Sequence, residues 1–206
     1  MYRVAVIDTG MCNVDSMVRA IEECGAKADV TKVPSDLDRC DKMILPGVGA
    51  FPDAMVMLHE HGLVDAIRAN VLDHEVPILG VCLGMQLLAA RSEEVRDCEG
   101  LALLDANVIR LAPTSGERVP HVGWNEVDPN TSTTMFTGIA PSTDFYFVHS
   151  FHMICADAAD VAATTPYCRT ITSAVQRAHI WGTQFHPEKS QASGLRLLRN
   201  FVESAC

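Results

Sequence analysis

The stretch Val76–Ala90, VPILGVCLGMQLLAA, changes its period at a single residue. Its first half, PILGV, is an unbroken apolar run of the length of a strand buried on both faces, as in parallel sheets. Its second half, LGMQLLAA, spaces its large apolar residues like one face of a helix. Cys82 stands on the seam between Gly80 and Gly84, so the chain passes from strand to helix with almost no loop. A nucleophile on such a corner is held clear of the backbone. The next residue's N–H and a helix N-terminus, which favours thiolate over thiol, then face whatever it attacks. GVCLG has the small-x-nucleophile-x-small form of that elbow. A cysteine at a strand end is more often a plain core thiol, so the decision falls to other segments.

Upstream, the apolar runs YRVAVID and KMILPG are separated by an amphipathic pattern near residues 13–24, and a second pattern at 51–73 leads to PILGV. Strand, helix, strand in succession predicts parallel pairing with crossover helices. Beyond residue 100 the short runs NVIRL, DFYFVHS, ITSAVQ and IWGTQFH alternate with turn signals such as PTSGE and DPNTST, until a last amphipathic segment, SGLRLLRNFVE. The expected fold is α/β: an open, mixed, mostly parallel sheet with flanking helices, flavodoxin-like, in a single domain over 1–206. APTSGERVP (112–120) reads as a surface connection.

A chain of 206 residues with 48% hydrophobic and 20% charged content can fill one core. Its 16 Lys and Arg against 26 Asp and Glu leave a formal net charge of -10, which disfavours nucleic acid or an anionic membrane as partner. MYRVAVIDTG reaches Asp8 too early for a signal-peptide core, and no run is long enough to span a bilayer, so a cytoplasmic location is expected. The eight cysteines show no clustering and read as mostly buried thiols rather than a disulfide framework. Without a CxxC or HxxxH pair, no metal site is expected.

Two distant segments supply what Cys82 lacks. In GTQFHPEKS (182–190), His186 precedes a proline and is biased to extended backbone, so Glu188 projects on its side. A carboxylate there can fix the imidazole tautomer, making Cys82, His186 and Glu188 a nucleophile, base and orienter. His149 could also be a base by chemistry alone, whereas His121 reads as part of a strand approaching the surface; His186 ranks first because only it has an adjacent carboxylate. In LPGVGAF (45–51), glycines 47 and 49 flank a strand end and free peptide N–H groups to turn toward a neighbouring strand. In a parallel sheet the carboxyl ends of strands share one edge, so Val48 or Gly49 can supply an oxyanion donor beside the N–H of Leu83. Gln86, at i+4 from Cys82, can face the same pocket.

These motifs resemble the class I (triad) glutamine amidotransferases. Further matches, IDTGMCNVDSM, LPGVGAF, VPHVGWNEV and YFVHSF, are similar to the glutaminase subunits of imidazole glycerol phosphate synthases, and the likeness runs from residue 7 to 201. The resemblance implies hydrolysis of L-glutamine to glutamate through a cysteinyl thioester, without a cofactor. It also implies a heterodimer with a (β/α)8-barrel cyclase of histidine biosynthesis that receives the ammonia. It carries the catalytic roles to Cys82, His186 and Glu188, the oxyanion donors to Leu83, Val48 and Gly49, and substrate binding to Gly47, Gly49, Gln86, Glu94, His149 and Ser150. Glu94, by itself a solvated charge, would meet the substrate ammonium. Asp8, Asn13, Trp124, Asn125, Tyr146 and Lys189 would lie toward the partner. Cys12 and Phe151 stand where the family commonly has glycine and tyrosine. Two other readings stay open: another class I glutaminase, of the pyridoxal phosphate synthase or anthranilate type, and a non-catalytic binding subunit on the same fold.

Overall fold

The computed structural model describes residues 1–10, 14–114, 116–130 and 132–204. Four strands, β1 (Arg3–Ile7), β2 (Lys27–Thr31), β3 (Lys42–Gly47) and β4 (Ile78–Cys82), alternate with helices α1 (Asp15–Glu23), α2 (Pro34–Leu37), α3 (Phe51–Glu60) and α4 (Leu63–Leu72). Helix α5 (Leu83–Leu87) follows β4 directly. The remainder is mainly strands: β5 (Arg91–Ser92), β6 (Cys98–Glu99), β7 (Ala106–Arg110), β8 (His121–Pro129), β9 (Thr143–His149), β10 (Phe151–Cys155), β11 (Val161–Thr165), β12 (Ile171–Arg177) and β13 (Ile180–Thr183), closed by α6 (Gln191–Glu203).

The main sheet has the order β2-β1-β3-β4-β13-β12-β11-β8-β9. It is parallel from β2 to β13 and antiparallel from β13 to β9. The expected open mixed sheet is therefore the one that forms. A smaller sheet, β10-β7-β5-β6, packs beside it. Period-two alternation sorts each apolar strand onto two faces. Ala5, Ile7, Met43, Leu45 and Ile78 face α3, α4, α5 and the small sheet, while Val4, Val6, Ile44, Leu79 and Val81 face α1, α6 and the aromatic residues Phe145 and Phe147 of β9. Burial on both sides is why these runs carry no polar alternation.

Several local expectations need correction. The helical pattern over 51–73 is two helices, parted at Gly62 in the left-handed conformation (φ 66°). LGMQLLAA stays helical only to Leu87: the N–H groups of Leu88 and Ala89 tighten onto the carbonyls of Met85 and Gln86, and Ala90 then pairs with Ala106 and carries the chain into the small sheet. His121 does not approach the surface; it is buried under Phe147 and Tyr167. Among the described residues six cysteines are free, but only Cys24 and Cys82 are buried: Cys40, Cys98 and Cys155 sit at the margins of the core, and Cys168 lies in the connection between β11 and β12.

Candidate active site

Register alone assembles the site. Gly47, the last residue of β3, is paired with Cys82, the last of β4, and Thr183 at the end of β13 is paired with Val81. Three carboxyl ends therefore share one edge, bringing LPGVGAF, the elbow and QFHPE together. Cys82 has φ 56° and ψ -109° and is 5% exposed. A non-glycine residue held at positive φ costs about 1–3 kcal/mol and persists only where its surroundings enforce it. Here Gly80 and Gly84 provide the enforcement, each in contact with backbone that leaves no room for a Cβ.

His186 has the extended backbone (φ -97°, ψ 97°) that Pro187 favours. Its main-chain N–H donates to the carbonyl of Tyr146, and its carbonyl accepts from Ser190 Oγ at 2.6 Å. The imidazole Nδ1 lies 2.8 Å from Glu188 Oε1 and donates to it, which leaves Nε2 as the working nitrogen. That nitrogen is buried and makes no hydrogen bond of ordinary length, and Cys82 is its reactive neighbour. Burial pushes the imidazole down, but the contacts with Cys82 and Glu188 outweigh it and raise the pKa to about 9.

A cavity of about 250 Å³ opens over the thiol and is lined by Val48, Gly49, Cys82, Leu83, Gln86, Glu94, His149 and Ser150, with Pro120, Val148 and Phe151. Its size suits an amino acid better than a large cofactor. Gly47, His186 and Glu188 do not line it; they line a neighbouring cavity of about 180 Å³ together with Ser16 and Lys189, and Val48 borders both. Nucleophile and imidazole thus meet from opposite sides of the LPGVGAF strand end.

Glu94 lines the cavity as the resemblance implies, but it also accepts the N–H of Phe51 at 2.8 Å, fastening the loop after β3 at the start of α3. Gln86 Nε2 donates to the Phe151 carbonyl at 2.9 Å and to Gln184 Oε1 at 3.0 Å, so only its carbonyl oxygen is left for a ligand. His149 and His121 form a neutral pair. His149 Nδ1 donates to Phe151 O at 2.8 Å, so its Nε2 accepts from His121 Nδ1 at 3.0 Å. Burial lowers their pKa values to about 3 and about 4. Neither imidazole carries a proton to spare, which separates them from His186. Gln184, fully buried with Nε2 3.8 Å from Cys82 Sγ, is a site residue that the motifs alone do not reveal. The signal is its place in QFH, two residues before His186 and just past the carboxyl end of β13.

On the far edge of the site, Trp124 and Tyr146 are cross-strand partners with rings 6.0 Å apart, and Trp124 is 48% exposed. Asn125 is half-buried and donates toward His121 Nε2 at 3.3 Å, Lys189 is exposed, and Asp8 pairs with Lys32 at 3.2 Å. Cys12 and Asn13 lie outside the described residues.

Comparison with known proteins identifies the family. The family model for glutamine amidotransferase class-I matches residues 5–205. Imidazole glycerol phosphate synthase subunit HisH 1 of Campylobacter jejuni (strain RM1221) is 43% identical over 97% of this chain and 98% of its own length. Subunit HisH of Moorella thermoacetica is 45% identical over 98% and 95%. Among solved structures, a putative GMP synthase component from Thermoplasma acidophilum has a TM-score of 0.75 at 23% identity, covering 98% of this chain and 92% of that one, a likeness of fold. A glutamine amidotransferase at 20% identity gives 0.77 over 97% of both chains. Similarity that runs end to end, with the elbow and the His-Pro-Glu turn both inside it, means that the chain belongs to the class I glutamine amidotransferase family, in its branch of imidazole glycerol phosphate synthase HisH subunits.

Proposed function

We propose that Cys82, His186 and Glu188 carry the reaction of a glutaminase subunit that hydrolyses L-glutamine and hands ammonia to a cyclase in histidine biosynthesis. The observation that carries this reading is the imidazole bound to Glu188 through Nδ1, with its second nitrogen free beside Cys82. Cys82 sulfur attacks the side-chain carboxamide carbon, and the N–H groups of Leu83 and of the Val48–Gly49 loop receive the oxyanion. His186, as imidazolium, gives its proton to the departing nitrogen, and ammonia leaves. The neutral imidazole then takes a proton from water, which cleaves the thioester and frees glutamate. Glu188 fixes the tautomer and supports the charged ring. Glu94 and the carbonyl of Gln86 suit the substrate ammonium, while Gly49, His149 and Ser150 line the remainder; Gly47 serves by placing the loop.

The partner we infer is a (β/α)8-barrel cyclase in a cytoplasmic heterodimer, with this chain folded as one domain. Exposed Trp124 and Val122 on β8, beside Tyr146 and Lys189 at the same edge as the site, support that face as the docking surface. The 40–45% identical relatives favour this branch over the pyridoxal phosphate synthase and anthranilate types. The test is glutamate release by this chain alone, with the cyclase, and with cyclase plus its nucleotide ligand. The rate is expected to rise across the series; a flat rate would remove the regulated subunit reading.

The raised pKa of His186 sets a pH signature. The leaving nitrogen needs the protonated ring, which persists until pH passes about 9. Glutaminase kcat/KM in the complex is therefore expected to fall on the alkaline side with a limb near pH 9, above the ~6.5 of an unperturbed imidazole. Glu188→Gln removes a contact that raises the pKa and should move the limb downward, while lowering the rate about 10–100-fold. A limb that stayed in place in this variant would separate Glu188 from the imidazole's charge.

A further inference from the structure

We propose that Gln184 is a further catalytic residue, whose side-chain N–H donates to the Cys82 sulfur and stabilises it as thiolate before attack. The proposal rests on Cys82 being the nucleophile. Two contacts to Sγ have opposite character: the Val148 carbonyl, at 3.7 Å, can only accept, and so serves the thiol, whereas Gln184 Nε2, at 3.8 Å, can only donate, and serves the thiolate better.

The orientation of Gln184 follows from one backbone atom. The carbonyl of Phe151 can only accept, so Gln86 must turn its nitrogen toward it. The same nitrogen reaches Gln184 at 3.0 Å, which obliges Gln184 to present its oxygen there. Its own nitrogen then has no direction left but the sulfur. The main chain is held as well, because Gln184 N–H donates to the carbonyl of Ser173. A fully buried amide needs its donors satisfied, and a neutral thiol is a weak acceptor for one. Charge on sulfur satisfies it better, so the amide and the anion stabilise each other. Gln184 and His186 approach the same sulfur from one short segment that bends as it leaves β13.

The titratable groups around Cys82 are His186, Glu188 acting through it, and His149 and Glu94 across the cavity. None is altered by a change at Gln184, so a shift in sulfur reactivity reports the amide. The experiment uses the full chain and iodoacetamide, following alkylation of the Cys82 peptide by mass spectrometry as a function of pH. Cys40 and Cys155, whose thiols burial pushes up to about 11, are internal references.

Gln184→Leu is expected to move the pH midpoint of Cys82 alkylation upward by about one unit, and Gln184→Glu further, because a carboxylate would face the sulfur. In the complex kcat for glutamate release should fall about 10–100-fold in the leucine variant with KM within about twofold. Wild-type midpoints in folded variants would overturn the proposal. Should the leucine variant fail to fold, Gln184→Met, uncharged, flexible and of similar volume but with no N–H donor, decides in its place. If wild-type Cys82 reacts no faster at neutral pH than Cys40 and Cys155, the nucleophile reading itself fails and this one with it. Fast wild-type alkylation with unmoved variants removes Gln184 only.

Discussion

Cys82→Ala in the complex is expected to lower glutamate release by about 10⁴-fold or more, to the background of the assay, with the chain still folded. No other described side chain with a usable nucleophile lines the cavity at that position: Ser150 shares the lining but follows β9, away from the strand-to-helix corner. The cost to stability is small by comparison. Alanine keeps the backbone at φ 56° no worse than cysteine does, loses one buried sulfur, and leaves Gln184 Nε2 without its acceptor, about 1–3 kcal/mol together. A parallel assay removes the ambiguity between a dead site and a broken complex: the cyclase, fed ammonium salt in place of glutamine, should turn over normally with the variant bound. His186→Ala should fall to a similar level, and the double variant no lower, because nucleophile and base act as one unit. Retention of more than ~1% of the glutaminase rate by Cys82→Ala would remove the thioester mechanism, since hydrolysis without a nucleophile loses far more.

How far the sequence alone leads depends on the range of the interaction concerned. The elbow is legible because β4 must be apolar on both faces and the next turn cannot carry a Cβ, so a local change of period marks it. His186 with Glu188 is legible because the pair lies two positions apart in one short segment, although Pro187–Lys189 wind as a 3-10 turn rather than continuing the extended chain that the sequence suggests. Features that depend on contacts between distant segments are not. Glu94 reads as a solvated charge until the fold sets it against the N–H of Phe51, forty-three positions earlier. His121 reads as a strand residue nearing the surface until Tyr167 stacks on it at 3.7 Å, and its hydrogen bond to His149 comes from register across β8 and β9. Gln184 looks like a polar interruption before Phe185 and His186; its partners, Gln86 and Cys82, come from another strand and helix. The early end of α5 has the same origin, since the pairing of Ala90 with Ala106 captures residues whose own spacing favours another helical turn. Motifs that concentrate chemistry in a few neighbouring positions survive in one dimension, and side chains positioned through their neighbours do not.

Gly84→Ala is expected to be the most damaging single-methyl change at the site. A Cβ on residue 84 would sit 1.6 Å from the carbonyl oxygen of Leu45 and 2.7 Å from its carbonyl carbon, both backbone atoms of the neighbouring parallel strand. Gly84 lies inside α5 with no left-handed conformation to preserve, so the penalty is steric, with little to refund through a stiffer unfolded chain. Gly80 closes the alternative escape, because its own Cβ position is 2.6 Å from the Gly84 carbonyl oxygen: β3, β4 and the elbow are packed backbone on backbone. Relief requires β3 to part from α5, which opens the pairing of Gly47 with Cys82 and carries the Val48–Gly49 loop away from the sulfur. Overpacking ordinarily costs about 1–3 kcal/mol, and a clash with fixed backbone at this depth should exceed that, lowering the melting temperature by about 10 °C or preventing folding. Gly47→Ala is the graded comparison: its nearest atoms are Leu83 Cβ at 3.1 Å and Cγ and Gly84 N at 3.3 Å, distances that a few tenths of an ångström can relieve. That variant should melt within a few degrees of wild type yet lose glutaminase rate, because the residue that yields, Leu83, carries the oxyanion N–H. Thermal melts beside glutamate-release assays read both effects. Equal melting temperatures for the two variants would mean that the elbow has slack its backbone distances deny, and the account of why glycine flanks the nucleophile would fall with it.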